Sequence, residues 1–373
     1  MKLLNCSLLM LLFLLAGCDQ STPVSTDPSG ISVSSRMGAH PDAGFTRVLE
    51  AREFIFPEDH AAHPEYATEW WYFTGNLEHK EGARFGYQFT LFRVGLKAGE
   101  VVDNSSWRSH QLYMGHLAIS DIQNRLHWSH ERFARAAGGL AGAQTDPFRI
   151  WLGPWAIQGG DKQLFPLQLS AATPDFAIDL TLESGSKPIV LQGEKGFSRK
   201  AAGPGNASYY YSYTRLPTSG EIRIGEKNMR VTGNSWFDRE WSSSALASDQ
   251  AGWDWFSLQL ADGRDLMFYR MRDREGNAQS FSNGVLVEQD GSLVSLSLES
   301  VRLLPLATWR SPLQTVYPVS WQLQIPQEQI DLRIDAAFED QEMRHTVRYW
   351  EGAVRVTGSH QGVGYMELSG YAP

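Results

Sequence analysis

The chain has 373 residues, a formal net charge of -9 and 42% hydrophobic residues. That length is comfortable for two domains, and the composition excludes disordered, collagen-like and polytopic membrane classes. An acidic chain without basic clusters repels phosphate backbones, which argues against nucleic acid as a partner. Aromatic residues reach 12%, a sign of β structure, because rings fit a pleated, half-buried surface. The two cysteines, Cys6 and Cys18, both stand near the start. The body is therefore expected to hold no disulfide, thiolate zinc site or iron–sulfur cluster, and no cofactor is expected.

Lys2 precedes an apolar run over residues 8–15, too short for the roughly 20 residues of a spanning helix. A basic start, a short apolar stretch and a small-residue end read as a secretory signal. The end, Leu15-Ala16-Gly17-Cys18, resembles the bacterial lipobox. The resemblance implies cleavage after residue 17, lipidation of Cys18 and a stable membrane anchor. Asp19 then favours the inner membrane. Residues 18–44 are rich in Ser, Thr, Pro and Gly and read as a flexible tether.

From Phe45 onward the pattern is mostly period two. Phe85, Tyr87, Phe89 and Leu91 alternate with smaller or polar residues, which predicts a strand with one apolar face. Asp262-Gly263 and Asp290-Gly291 are two-residue hairpin signals. Short helical turns are expected within residues 240–250 and 339–345. A weak internal repeat relates residues 70–93 to 253–272, and residues 231–238 to 362–367. The expected organisation is all-β: two tandem antiparallel barrels over residues 45–244 and 245–373, joined near residues 242–250.

Four segments stand out: Pro57-Glu58-Asp59-His60-Ala61-Ala62-His63-Pro64, Glu69-Trp70-Trp71-Tyr72-Phe73-Thr74-Gly75-Asn76-Leu77, Trp236-Phe237-Asp238-Arg239-Glu240-Trp241 and Tyr349-Trp350-Glu351-Gly352-Ala353-Val354. Together they resemble the lipocalin-like family of the carotenoid 1,2-hydratase (hydroxyneurosporene synthase) and its AttH-like relatives. The resemblance runs from about Phe54 to Tyr371 and is closer to the secreted lipoprotein branch than to the pigment enzymes. It implies two lipocalin-like barrels, and an ABC-type permease of the lipoprotein-export kind as partner. Relatives include hydratases and fungal cyclases acting on polyenes, so fold alone leaves the function open.

Hydrating an isolated alkene needs a buried carboxylic acid with a raised pKa, and aromatic faces to stabilise the carbocation. The candidate acids beside rings are Asp238, Glu240 and Glu69, with Asp254 as a further neighbour. The candidate ligand-binding rings are Trp70, Trp71, Tyr72, Trp236, Trp241, Trp253, Trp255 and Tyr269. On a strand Asp238 and Glu240 share one face and Arg239 and Trp241 the other. Asp238 aligns best with the family motif. It is nonetheless expected to serve a structural ion pair with Arg239, Arg93 or Arg270. The hydratase branch would carry an Asp where Met271 stands here. Asp59, His60 and His63 read as a rigid turn rather than a metal site. No Gly-x-Ser-x-Gly elbow or phosphate-binding glycine loop is present. The expected function is that of a lipid-anchored bacterial periplasmic lipoprotein holding an apolar small molecule or lipid. The alternative is a hydratase, or a related lyase or cyclase, on a polyene or isoprenoid-like substrate. The site is expected where the strands around residues 69–72, 238–241 and 253–255 converge.

Overall fold

The computed structural model describes residues 44–99, 107–160, 163–243 and 246–372. The expected signal peptide at residues 1–17, Cys18 and the tether up to residue 43 lie outside the described residues. Among the described residues the elements are β-strands and two short 3-10 turns, Glu58–His60 and Pro326–Glu328. Strands between Thr68 and Ser242 build a 13-stranded sheet, and those between Gln250 and Leu368 a 10-stranded sheet. The first curls into a nearly closed barrel and the second into a half-barrel. The all-β, tandem lipocalin-like architecture is therefore present.

Among the described residues the expected helical turns are not formed. Lys227–Ser242 carries a strand into the first segment, and Glu342–Arg344 pairs with Arg348–Gly358 in the second. In both places pairing with a neighbouring strand overrides the local helical signal. The hairpins form as read. Gly263 joins Gln250–Leu260 to Asp265–Asp273 at φ 91°, a left-handed conformation that glycine adopts without Cβ strain.

The internal repeat has a structural counterpart. Thr68–His79 pairs on one side with Arg84–Gly95 and on the other with the closing strand Lys227–Ser242. In the second sheet Gln250–Leu260 pairs with Asp265–Asp273 and with the closing strand Gly362–Leu368. Each unit thus joins its opening strand to both its hairpin partner and its last strand.

Period-two alternation sorts the side chains. Trp71 and Phe73 enter the core of the first barrel, where Phe73 stacks on its register partner Phe237 with centroids 4.3 Å apart. Trp70 and Tyr72 take the opposite face. In the second unit Phe256 and Leu258 enter the core and Trp255 faces outward. The outward faces meet in a shared cluster containing Tyr72, Tyr210, Trp236, Trp255, Tyr269 and Tyr365. Gly86 permits this approach: a Cβ there would lie 2.8 Å from the Ala353 Cβ and 2.7 Å from the Tyr365 hydroxyl.

Candidate active site

Two buried charge networks must be separated from the site before it can be read. Glu69 is fully buried and bridges Arg93 and Arg239. The Arg239 guanidinium lies 4.1 Å from the Trp71 ring centroid, and the His63 ring stacks on Trp241 at 3.9 Å. His63 Nε2 lies 3.0 Å from Asp59 Oδ1, so the Asp59–His63 turn plugs into the same network. In the second unit Asp254 is held by Arg270 at 2.7 Å, Arg272 at 3.2 Å and the Tyr371 hydroxyl at 2.7 Å. Glu69, Trp71, Trp241 and Asp254 thus belong to barrel interiors.

Between the units lies a cavity of 130 Å³. Its walls come from outward-facing positions of both sheets. Trp70, Tyr72, Tyr210, Asp238 and Glu240 line it from the first unit, and Trp253, Trp255, Tyr269, Glu351 and Glu367 from the second. Phe92, Met114, Met271 and Val347 add apolar surface.

Asp238 is 3% exposed. It accepts hydrogen bonds from the Tyr210 hydroxyl at 2.6 Å and the Trp236 indole at 2.7 Å, and from the Ser212 hydroxyl. No arginine pairs with it. Arg93 and Arg239 are committed to Glu69, and Arg270 to Asp254. This corrects the expected ion pair. Arg239 alternates inward, so neighbours in sequence point to opposite sides of the sheet. Burial pushes the Asp238 carboxyl up to about 7, with the nearby Glu240 charge in the same direction, against the three hydrogen bonds that favour the anion.

Glu240 does carry an ion pair, to Lys200 Nζ at 3.1 Å. The ammonium also sits 4.3 Å from the Tyr269 ring centroid and 4.9 Å from that of Tyr210. Burial works against the Lys200 charge, and the Glu240 carboxylate more than offsets this, so the proton is held above the ordinary lysine value.

The second unit contributes a pair of carboxyls. Glu351 and Glu367 are direct register partners on adjacent strands. Glu351 is 1% exposed and neither of its oxygens has a hydrogen-bond partner. Burial, then the charge of Glu367, drive its pKa well up; the neighbouring Tyr72 and Tyr349 phenols oppose this without reaching full hydrogen-bond geometry. Burial pushes Glu367 up to about 8, against an indole hydrogen bond from Trp253 at 3.0 Å. Two like groups in one apolar site hold a proton between them more readily than both ionise.

A further chain leads from the cavity wall outward. The Tyr349 hydroxyl lies 2.7 Å from His116 Nδ1, and His116 Nε2 lies 3.0 Å from Glu131 Oε1. Burial works against the Glu131 charge, but hydrogen bonds from His116 and Thr346 prevail and hold it down at about 2. With the His116 ring neutral, its Nε2–H donates to the ionised Glu131 and Nδ1 accepts the Tyr349 hydroxyl proton.

Of the residues singled out in the sequence, Asp238, Glu240, Trp70, Tyr72, Trp253, Trp255 and Tyr269 line the cavity. Trp236 stands behind Asp238 as a hydrogen-bond donor. Glu69, Trp71 and Trp241 do not reach it, because they alternate into the first barrel. Sequence reasoning missed Lys200, His116, Tyr210, Tyr349, Glu351 and Glu367. The last two lay in sight, in the Tyr349–Val354 motif and in the closing-strand repeat, since residues i and i+2 share a face.

The AttH-like family model matches residues 47–371. No match was found among curated proteins. The fold is similar to that of an AttH from Nitrosomonas europaea, at TM-score 0.78 and 34% identity, over 88% of this chain and 100% of that one. Kievitone hydratase from Nectria haematococca superposes at TM-score 0.68 with 13% identity, over 89% and 97% of the two chains. CghA, solved with Sch210972, follows at 0.54 and 12%, over 90% and 98%. Cavity, motifs and family match coincide on one stretch of sequence: the chain belongs to the AttH-like family.

Proposed function

We propose that this protein adds water to, or eliminates it from, an apolar unsaturated small molecule held in the cavity between its two units. The observation that carries the reading is Asp238: a buried carboxyl with no cationic partner, half protonated near neutrality, facing a cavity walled by aromatic rings. An acid that holds its proton near neutral pH can give it to a carbon of a double bond. The π electrons form the new C–H bond, and the resulting carbocation lies among the faces of Trp70, Trp253 and Trp255. Water then forms the C–O bond. Its released proton passes through the Glu351–Glu367 pair to solvent, and solvent returns a proton to Asp238. The reverse sequence dehydrates an alcohol. The hydratase among the fold neighbours supplies a reaction class to test and no more.

The test is incubation with short isoprenoid alkenes in heavy-oxygen water, followed by mass spectrometry. Wild type should yield the labelled alcohol, and Asp238→Asn should not, while keeping its fold. The second reading, a carrier for an apolar ligand, is favoured by Met271, which stands where hydratases of the family would carry an acid. Recovery of an unaltered bound lipid and no turnover by wild type would establish that reading instead. In either case we place the protein in the bacterial periplasm, anchored by lipidated Cys18 beside an ABC-type permease. The support is the Leu15-Ala16-Gly17-Cys18 sequence and Asp19.

A further inference from the structure

The cavity lining is unbalanced between acidic and basic groups and in hydrogen bonding. It carries four carboxyls, Asp238, Glu240, Glu351 and Glu367, against one ammonium, Lys200. That ammonium is already engaged by Glu240 and by two ring faces. Among the described residues the other three carboxyls therefore have no salt-bridge partner, although the Lys200 charge also acts on Asp238. The hydrogen bonds divide them further. Asp238 receives three donors and Glu367 one, but both oxygens of Glu351 are without a partner. The hydroxyl of Tyr72, a residue 7% exposed on the same cavity, adjoins Glu351 and is also without a well-formed bond. Buried polar groups left unpaired are rare, and those aimed into a cavity mark where a ligand's own polar group belongs.

We propose that Glu351 and Tyr72 form the head-group subsite of this cavity, selecting apolar molecules whose polar end donates a hydrogen bond and rejecting those whose polar end is anionic. The inference rests on reading this cavity as the substrate site, and it narrows the substrate class. An alcohol satisfies both groups at once. Its O–H donates to a Glu351 oxygen, and its oxygen accepts from the Tyr72 hydroxyl. A primary ammonium donates to Glu351 and gains from the surrounding carboxyls and ring faces. A carboxylate or phosphate would bring a negative charge into a buried lining whose own carboxyls already resist ionising. Fatty acids and prenyl diphosphates are thereby excluded. Size adds a second limit. A volume of 130 Å³ is close to the roughly 150 Å³ of a cavity that encloses one benzene. The enclosed part therefore seats the head and a few carbons, and the rest of a longer chain extends through the mouth.

The experiment is calorimetric titration of the wild-type protein near neutral pH with three probes of one skeleton: geraniol, geranylamine and geranate. Geraniol and geranylamine should each bind at least about tenfold more tightly than geranate. Geranate binding as tightly as the alcohol, or none of the three binding, overturns the inference. Glu351→Gln keeps a polar side chain of the same shape and should reduce the geranylamine preference over geranate to below about threefold. Tyr72→Phe removes only the unpaired hydroxyl. It should weaken geraniol while leaving the order of geranylamine and geranate unchanged. An unchanged preference in folded Glu351→Gln, or unchanged geraniol binding in Tyr72→Phe, removes that residue from the subsite and refutes the proposal. Failure here is distinguishable from failure of the proposed reaction. Selectivity without turnover removes the enzyme and keeps the subsite, and turnover without selectivity does the reverse.

Discussion

Asp238 makes a quantitative claim about stability that can be measured without knowing any substrate. Its carboxyl ordinarily titrates at 3.8 and is pushed up to about 7 in the fold. The gap of about three units corresponds to about 4 kcal/mol between the two protonation states. Between these values the unfolded chain has lost its proton while the native protein keeps it. Stability therefore falls as pH rises through this window, and levels off above the folded value. A carboxylate whose pKa is depressed by an ion pair would behave in the opposite sense. Asp238→Asn removes the titration and keeps an oxygen that can accept from Ser212 and Trp236, with an amide that can donate to a reoriented Tyr210 hydroxyl. The other raised carboxyls, Glu351, Glu367 and Asp265, remain in both proteins and largely cancel in the comparison. From about pH 5 to pH 8 the variant should gain roughly 3 kcal/mol on wild type. In thermal unfolding followed by circular dichroism this corresponds to a relative rise of roughly 4 °C in melting temperature for a body of this size. Parallel melting curves across that range would refute the assignment of a protonated, desolvated Asp238. A wild type that gains on the variant with rising pH would show that Asp238 is stabilised as an anion.

Glu69→Gln leaves Arg93 and Arg239 buried without their counter-charge, and should cost about 3–5 kcal/mol in urea unfolding. Ligand binding in the cavity, measured on the folded fraction, should be unaffected. Tyr349→Phe cuts the link from His116 to the cavity wall; if the chain from Glu131 serves proton exchange, the pH profile of turnover should shift while the melting temperature moves little. Cys18→Ser should move the protein from the membrane fraction to the soluble one, and labelled palmitate should enter wild type only.

The fold was legible because its signals are local and repeated. Alternation at Phe85 to Leu91, the Asp-Gly turns and the tandem tryptophan motif each depend on a few adjacent residues, and all point to the same architecture. The site was legible only where alternation could be combined with motif. Asp238 and Trp70 follow from it, and applying the same parity strictly would have removed Glu69, Trp71 and Trp241. The remainder depends on contacts far apart in sequence. Lys200 meets Glu240 from the loop after the short strand Phe197–Arg199, and Tyr349 meets His116 from the other unit across 233 positions. No spacing rule encodes such pairs. The expected Asp238–arginine pair failed for a related reason. Counting nearby arginines shows that charge is available, while the competition among Glu69, Asp254 and Asp238 for those arginines is settled by which face of the sheet each occupies.

That competition also explains why the site lies between the units and not inside either. A small barrel interior is filled by side chains, and here both interiors are closed by large rings, Trp71, Phe73, Phe237 and Trp241 in one and Phe256, Trp321 and Trp350 in the other. Each fully buried apolar side chain of this kind contributes about 1.5–3 kcal/mol, so the two cores carry the stability of the fold. The seam is then free to hold groups that weaken it: a protonated Asp238, an unpaired Glu351, a Glu351–Glu367 pair. Charges inside the barrels are neutralised by arginines, and the acids that line the cavity have none as salt-bridge partners among the described residues. The same strands supply both arrangements, one on each face. A single-residue shift in register would exchange Asp238 for Arg239 at the cavity wall, so the register of Thr68–His79 against Lys227–Ser242 fixes the chemistry as well as the fold.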